Sequence, residues 1–211
     1  MAKKVAVNLI PRPVEELPAQ GANLWALACG LKEMSKRDHA PDHFSMASYL
    51  SQKPRGNGCR TVRCALGYAP MLGIVGTGTQ IINEQIGHTF PYYAYGRDTL
   101  IGRTSGRDHV WLWCFGAQWA YAVGRDNTLC GAADRIGFLV CHYDFILEHS
   151  ARCEETDDAR VRKLHKSLYR ENSLFTRWRQ QIDWNVTPEI PGAKEVVDRV
   201  VERARMIEID E

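Results

Sequence analysis

The chain has 211 residues, 45% of them hydrophobic, with 27 lysines and arginines against 25 aspartates and glutamates for a net charge of +2. That length and apolar share suit one domain with a real core and exclude a disordered chain. The near-balance of charge excludes a global electrostatic footprint for nucleic acid, which leaves only local clusters to consider.

No run approaches the roughly 18 consecutive apolar residues of a membrane helix. The opening MAKKVAVNLIPRPVEELP is cut by Pro11, Pro13 and the Glu15-Glu16 pair too early for a signal peptide, so a cytoplasmic location with no membrane contact is expected. Seven irregularly spaced cysteines then read as reduced thiols, most of them small buried hydrophobes, and not as a disulfide framework.

Residues 1–21 are expected to form an extended arm. Val5-Ala6-Val7-Asn8-Leu9 alternates weakly, and Pro11, Pro13 and Pro18 oppose a helix. The first helix is expected from Ala22 to about Lys36 on the stripe Leu24, Leu27, Leu31 and Met34, with a polar loop after it. Phe44, Met46, Tyr49 and Leu50 predict a short helical turn, and Pro54-Arg55-Gly56-Asn57-Gly58 a loop. Thr61 then reads as the N-cap of a brief helix carrying Val62, Ala65, Leu66 and Ala69 and stopped by Pro70. On that reading Cys64 is the third helical residue, near unpaired amides that favour a thiolate, and Cys59 lies two residues before the cap.

From Met71 to Gly106 the chain is rich in glycine and β-formers, which predicts a connecting segment with room for a short strand near Thr79–Asn83. Gly73, Gly76 and Gly78 lack the Gly-Lys-Ser/Thr ending of a phosphate loop. Val110–Trp119 is the most apolar stretch and is expected in the core. Thr128 reads as a second N-cap, opening a helix to about His149. Its apolar face is Ala132, Ile136, Leu139, Tyr143, Ile146 and Leu147, with Arg135 off the stripe, reaching solvent or Asp126.

Residues 151–211 are expected to be a helical extension packed on the core. An exposed helix over 154–170 starts acidic and ends basic. Asn172–Trp184 carries Leu174, Phe175, Trp178 and Ile182, and a last amphipathic helix spans about Ala193 to Ile207 with Val196, Val197, Val200, Val201 and Ala204 inward. The fold class is therefore mainly α: a helical core domain over 22–150 with a glycine-rich middle, between an N-terminal arm and a C-terminal extension.

Three chemistries compete for the stretch around Cys59–Cys64. Lys53, Arg55, Arg60 and Arg63, beside a helix start at Thr61, suit an anion such as a nucleotide phosphate or an acidic protein surface. Cys64 with His88 or His109 as base would suit a cysteine nucleophile. Cys59 and Cys64 with His149 and Cys153 would suit structural zinc, although a four-residue gap is the margin of the usual Cys-x2–4-Cys spacing. No nucleophile–base–orienter set and no complete metal spacing is legible, and His39, Asp42 and His43 lack further ligands, so a non-enzymatic binding protein without cofactor leads. Direct DNA recognition is not favoured by the balanced charge.

Phe44-Ser45-Met46, then Cys59-Arg60-Thr61-Val62-Arg63-Cys64-Ala65-Leu66-Gly67, then Trp113-Cys114-Phe115-Gly116-Ala117-Gln118-Trp119, and finally Asp126-Asn127-Thr128 leading to Arg135-Ile136 form an ordered set. This set resembles a family of small proteins of bacteria and their phages, with a Phe-x-Met ahead of a Cys-Gly-Thr-x-x-Cys-x-x-Gly core. The resemblance covers roughly residues 22–148. It implies a small, predominantly helical fold in which Cys59, Cys64, Trp113, Phe115, Trp119, Asp126, Thr128 and Arg135 are motif positions. With a phage association it implies a partner in the host cytoplasm, a host protein or a nucleotide signal. The chain departs from the pattern at Arg60, where glycine is usual, and at Arg63, where a small residue is usual, and the segment after residue 150 has no counterpart.

Overall fold

A computed structural model describes residues 6–11, 18–37, 50–55, 58–63, 65–74, 114, 127–146 and 170–207. Among the described residues the architecture is mainly α, with one two-stranded antiparallel hairpin. Among the described residues no helix is long and apolar enough to cross a membrane.

Helix α1 spans Pro18–Met34, four residues earlier than the expected start at Ala22. A proline at the first helical position costs nothing, because its missing N–H would have had no partner there. The helix is buried well beyond the stripe of Leu24, Leu27, Leu31 and Met34: Trp25, Ala26, Ala28 and Cys29 are buried as well. A helix apolar on most of its circumference belongs at the centre of a bundle.

The largest correction concerns the stretch around Thr61. Strand β1 spans Leu50–Arg55 and β2 spans Gly58–Arg63, paired antiparallel with Lys53 opposite Arg60 and Gln52 opposite Thr61. Thr61 is therefore a strand residue and not an N-cap, and Leu50 opens a strand instead of closing a helical turn. The physical reason lies in residues that suit a strand at least as well as a helix start: Thr61 and Val62 are β-branched, and the glycine-rich link after Arg55 favours reversal. Pro54 is tolerable in β1 because each strand of a two-stranded sheet has an unpaired edge.

Helix α2, Ala65–Met71, follows directly and contains Pro70, which does not end it at Ala69. The missing proline N–H removes a single bond near the C-terminus. The stop comes one turn later. Gly73 adopts φ +75°, the Ile74 N–H donates to the Ala69 carbonyl at 3.0 Å and the Gly73 N–H to the Pro70 carbonyl at 3.0 Å. This is the paired bond pattern of a left-handed glycine cap.

Helix α3, Leu129–Cys141, is capped by Thr128, whose hydroxyl accepts the Gly131 N–H at 3.0 Å. A further helical turn covers residues 143–146. Apart from Cys130, every residue of α3 is buried. Arg135 is accordingly fully buried, against the expectation that it reaches solvent, because neighbours cover the face beside the apolar stripe too. Its charge acts on Cys114 and Asp134. Cys114, the one described residue of the 110–119 run, is fully buried in the core.

Helix α4, Leu174–Gln181, is capped by Ser173, which accepts the Thr176 N–H at 3.0 Å. Helix α5, Ala193–Met206, lies along α1 with Val197, Val200 and Ala204 inward. Arg37, just beyond α1, caps the far end of α5: its two terminal nitrogens donate to the Ile207 and Ala204 carbonyls, both at 2.6 Å. These donors satisfy carbonyls that the helix end leaves unpaired and place a cation at its negative pole.

Two glycines permit close approach. A Cβ on Gly30 would lie 2.8 Å from Val200 Cγ1 and 2.9 Å from Leu72 Cδ1, so this position brings α1 against both α5 and the end of α2. On Gly137 it would lie 2.7 Å from the Trp184 ring. Trp25 stacks on Trp184 at 5.2 Å, and Trp178 meets Trp184 edge-on at 5.8 Å and Phe138 at 5.6 Å. This aromatic cluster joins α1, α3 and α4 with the segment after α4. At the N-terminus, the Asn8 backbone N–H donates to His142 Nε2 at 3.1 Å and its side-chain amide to the Cys141 carbonyl at 3.2 Å, so residues 6–11 dock at the end of α3.

Candidate functional site

Among the described residues, two places concentrate charge or reactive groups. The first is the hairpin. Within its paired residues β1 contributes Lys53 and Arg55, β2 contributes Arg60 and Arg63, and neither strand contains an acidic residue. The register sets Lys53 directly across from Arg60. Like charges directly opposite each other destabilise a strand pair. The arrangement corrects the picture of an anion held at a helix start capped by Thr61, because α2 begins only at Ala65.

The second place went unmarked in the sequence reading. Lys32 on α1 donates to Asp134 Oδ1 and to Cys130 Sγ on α3, both at 3.1 Å, and Arg179 on α4 pairs with Asp134 Oδ2 at 3.2 Å. Lys32 also stands 5.3 Å over the Trp184 ring. The Asp134 side chain is 5% exposed, against 26% for Lys32 and 43% for Arg179. Burial holds the Asp134 carboxyl above its ordinary value, opposed by the charges of Lys32, Arg179 and Arg135. Burial alone would lower Lys32, but the Asp134 carboxylate and Cys130 outweigh it and hold the ammonium above the ordinary lysine range. The available signal was the i, i+4 spacing of Cys130 and Asp134, which sets them on one face of α3. That Lys32 and Arg179 meet them there depends on helix packing.

Asp134→Asn is expected to lower stability by about 1–2 kcal/mol in urea unfolding. Breaking a fully buried ion pair costs more, about 3–5 kcal/mol, but both cations left behind have access to water and recover part of the loss.

Of the other sequence candidates, Cys59 is a β2 residue opposite Pro54, and Arg55, Arg60, Thr61 and Arg63 are all in the hairpin. Cys64, His88, His109, Trp113, Phe115, Trp119, Asp126, His149 and Cys153 lie outside the described residues, as do the expected strand near 79–83 and the expected helix over 154–170. Among the described residues no group of three histidine, cysteine, aspartate or glutamate side chains is placed to hold a metal ion. No known protein family, curated protein or solved structure matches the chain.

Proposed function

We propose that this is a non-enzymatic binding protein whose cationic hairpin β1–β2 contacts an anionic partner. The partner class is the acidic surface of a host protein or a nucleotide-like anion, with the protein acting in the cytoplasm of a bacterial host and encoded by a phage. The observation that carries the reading is the register: Lys53 faces Arg60 across a hairpin whose paired residues include Arg55 and Arg63 and no carboxylate. A fold gains nothing from opposing two cations, whereas a bound anion relieves their repulsion and adds charge-assisted hydrogen bonds. The family resemblance supplies the phage and host setting.

The test replaces Lys53, Arg55, Arg60 and Arg63 with alanine together and compares the variant with the wild type. Both are tagged, expressed in the natural host and captured, and the eluates are analysed by mass spectrometry over a salt series. A partner retained by the wild type, released as salt rises and lost from an equally stable variant is the expected result, since contacts between exposed charges are screened by salt. Direct titration of both proteins with a panel of nucleotides separates the two partner classes. Equal retention by wild type and variant, or no partner and no nucleotide binding at all, overturns the reading.

A further inference from the structure

Cys29, Cys114 and Cys141 are buried. Cys130 is the exception: it is partly exposed near the start of α3, and Lys32 Nζ lies 3.1 Å from its sulfur. That approach joins α1 and α3 through two residues that are 98 apart in sequence. The same nitrogen donates to Asp134 Oδ1, also at 3.1 Å, and Asp134 Oδ2 accepts from the Cys130 thiol at 3.9 Å. An ammonium nitrogen that becomes nucleophilic on losing a proton, an oxidisable sulfur and a carboxylate able to take that proton therefore meet at one partly open point. Arg179 pairs with the same Asp134 Oδ2 at 3.2 Å, and the Trp184 ring centroid lies 5.3 Å from Lys32 Nζ.

We propose that Lys32 and Cys130 form an oxidation-driven covalent cross-link between α1 and α3, with a peroxide as the oxidant. Peroxide converts the Cys130 thiol to a sulfenic acid: the S–H bond is replaced by S–OH and one water is released. A sulfenic acid condenses with a nearby nitrogen to give a sulfenamide. Lys32, as its ammonium, passes one proton to Asp134. Its lone pair then forms the S–N bond while the S–O bond breaks. The departing hydroxide takes the proton from Asp134 and leaves as a second water, and one further N–H proton goes to solvent. Overall the sulfur is oxidised by two electrons and one peroxide is reduced to two waters. A thiol attacks the same sulfur and releases the Lys32 amine, leaving a mixed disulfide on Cys130 that a second thiol reduces to the free thiol.

The link closes a long loop of chain and so opposes unfolding, which joins the redox state to the stability of the α1–α3 packing.

The experiment treats the full-length protein with hydrogen peroxide, blocks the remaining thiols, digests without reductant and maps the peptides by mass spectrometry. The expected product joins the Lys32 peptide to the Cys130 peptide, is lighter than their sum by two hydrogens and separates on adding dithiothreitol. Oxidised wild type should also melt at a higher temperature than reduced protein, with the shift lost in Lys32→Arg and Cys130→Ser. Lys32→Arg keeps a cation beside Asp134 and should stop at the Cys130 sulfenic acid, which a dimedone probe captures. A wild-type Cys130 that ends as a sulfenic or sulfinic acid with no joined peptide overturns the proposal. So does a Cys130 that peroxide leaves untouched.

Discussion

Trp178→Ala is expected to cost about 3–5 kcal/mol of unfolding free energy, measured by urea denaturation monitored by circular dichroism. The side chain is fully buried and touches three other aromatic rings: Phe138 at 5.6 Å and Trp184 at 5.8 Å edge-on, and Phe175 stacked at 6.2 Å. Alanine would remove the shared partner of α3, α4 and the segment carrying Trp184. The neighbours are too rigid to collapse into the space, because Phe138 is itself held between Phe175, Phe145 and His142. Trp178→Phe is the informative companion. The indole Nε1 of Trp178 is buried with no hydrogen-bond partner among the described residues. Phenylalanine loses contact area but also removes that donor, whose desolvation is a cost of about 1–3 kcal/mol. Trp178→Phe should therefore lie much nearer the wild type than Trp178→Ala. Equal losses for the two variants would mean that the aromatic contacts contribute little.

Alkaline pH is expected to destabilise the protein from pH 9.0 upward. Burial, with Cys141 adding to it, pushes the Cys29 thiol from 9.0 up to about 12. A folded-state value above the unfolded one means that the folded state holds its proton longer. The contribution to stability is then complete below pH 9.0 and is lost as pH rises towards about 12. Over that interval the loss from Cys29 amounts to about 4 kcal/mol, at about 1.4 kcal/mol for each pH unit. Cys114 acts in the same direction, its burial outweighing the opposing charge of Arg135. Lys32, held above 10.5, adds a further loss at higher pH as the ammonium beside Asp134 discharges. Unfolding free energy measured from pH 7 to pH 11 should fall along this path for the wild type and fall distinctly less for Cys29→Ala. Parallel slopes would show that Cys29 does not share in the transition.

The helical part of the fold was legible to the extent that its signals are local. Thr128 caps α3 because its hydroxyl reaches the Gly131 N–H within one turn, and that reach is a property of the sequence. The final helix, Ala193–Met206, carries its valines at the three- and four-residue spacing that periodicity picks out. Thr61 was misread for a related reason. The same threonine that can cap a helix also suits a strand, and the choice depends on whether β1 lies alongside to accept the pairing. Pro70 shows the opposite error, since a proline near a helix end removes only one bond and need not stop the chain before it.

The candidate sites divide along the same line. The cationic character of residues 53–63 is written in the composition of that stretch, and only the register sets Lys53 against Arg60. Nothing local marks Lys32, which reads as an ordinary charged position beside an apolar stripe. It acquires a role because α3 and α4 bring Cys130, Asp134 and Arg179 to the same point.

By itself, then, the sequence determined a mainly helical chain with a buried cysteine population, a capped α3 and a basic stretch between residues 53 and 63. Periodicity, capping and composition act over a few residues, so they survive without knowledge of the fold. Only the tertiary structure decided that Thr61 is a strand residue, that Arg135 is buried and that Lys32 meets Cys130. Each of those depends on which surface packs against which, a matter of contacts between segments far apart along the chain.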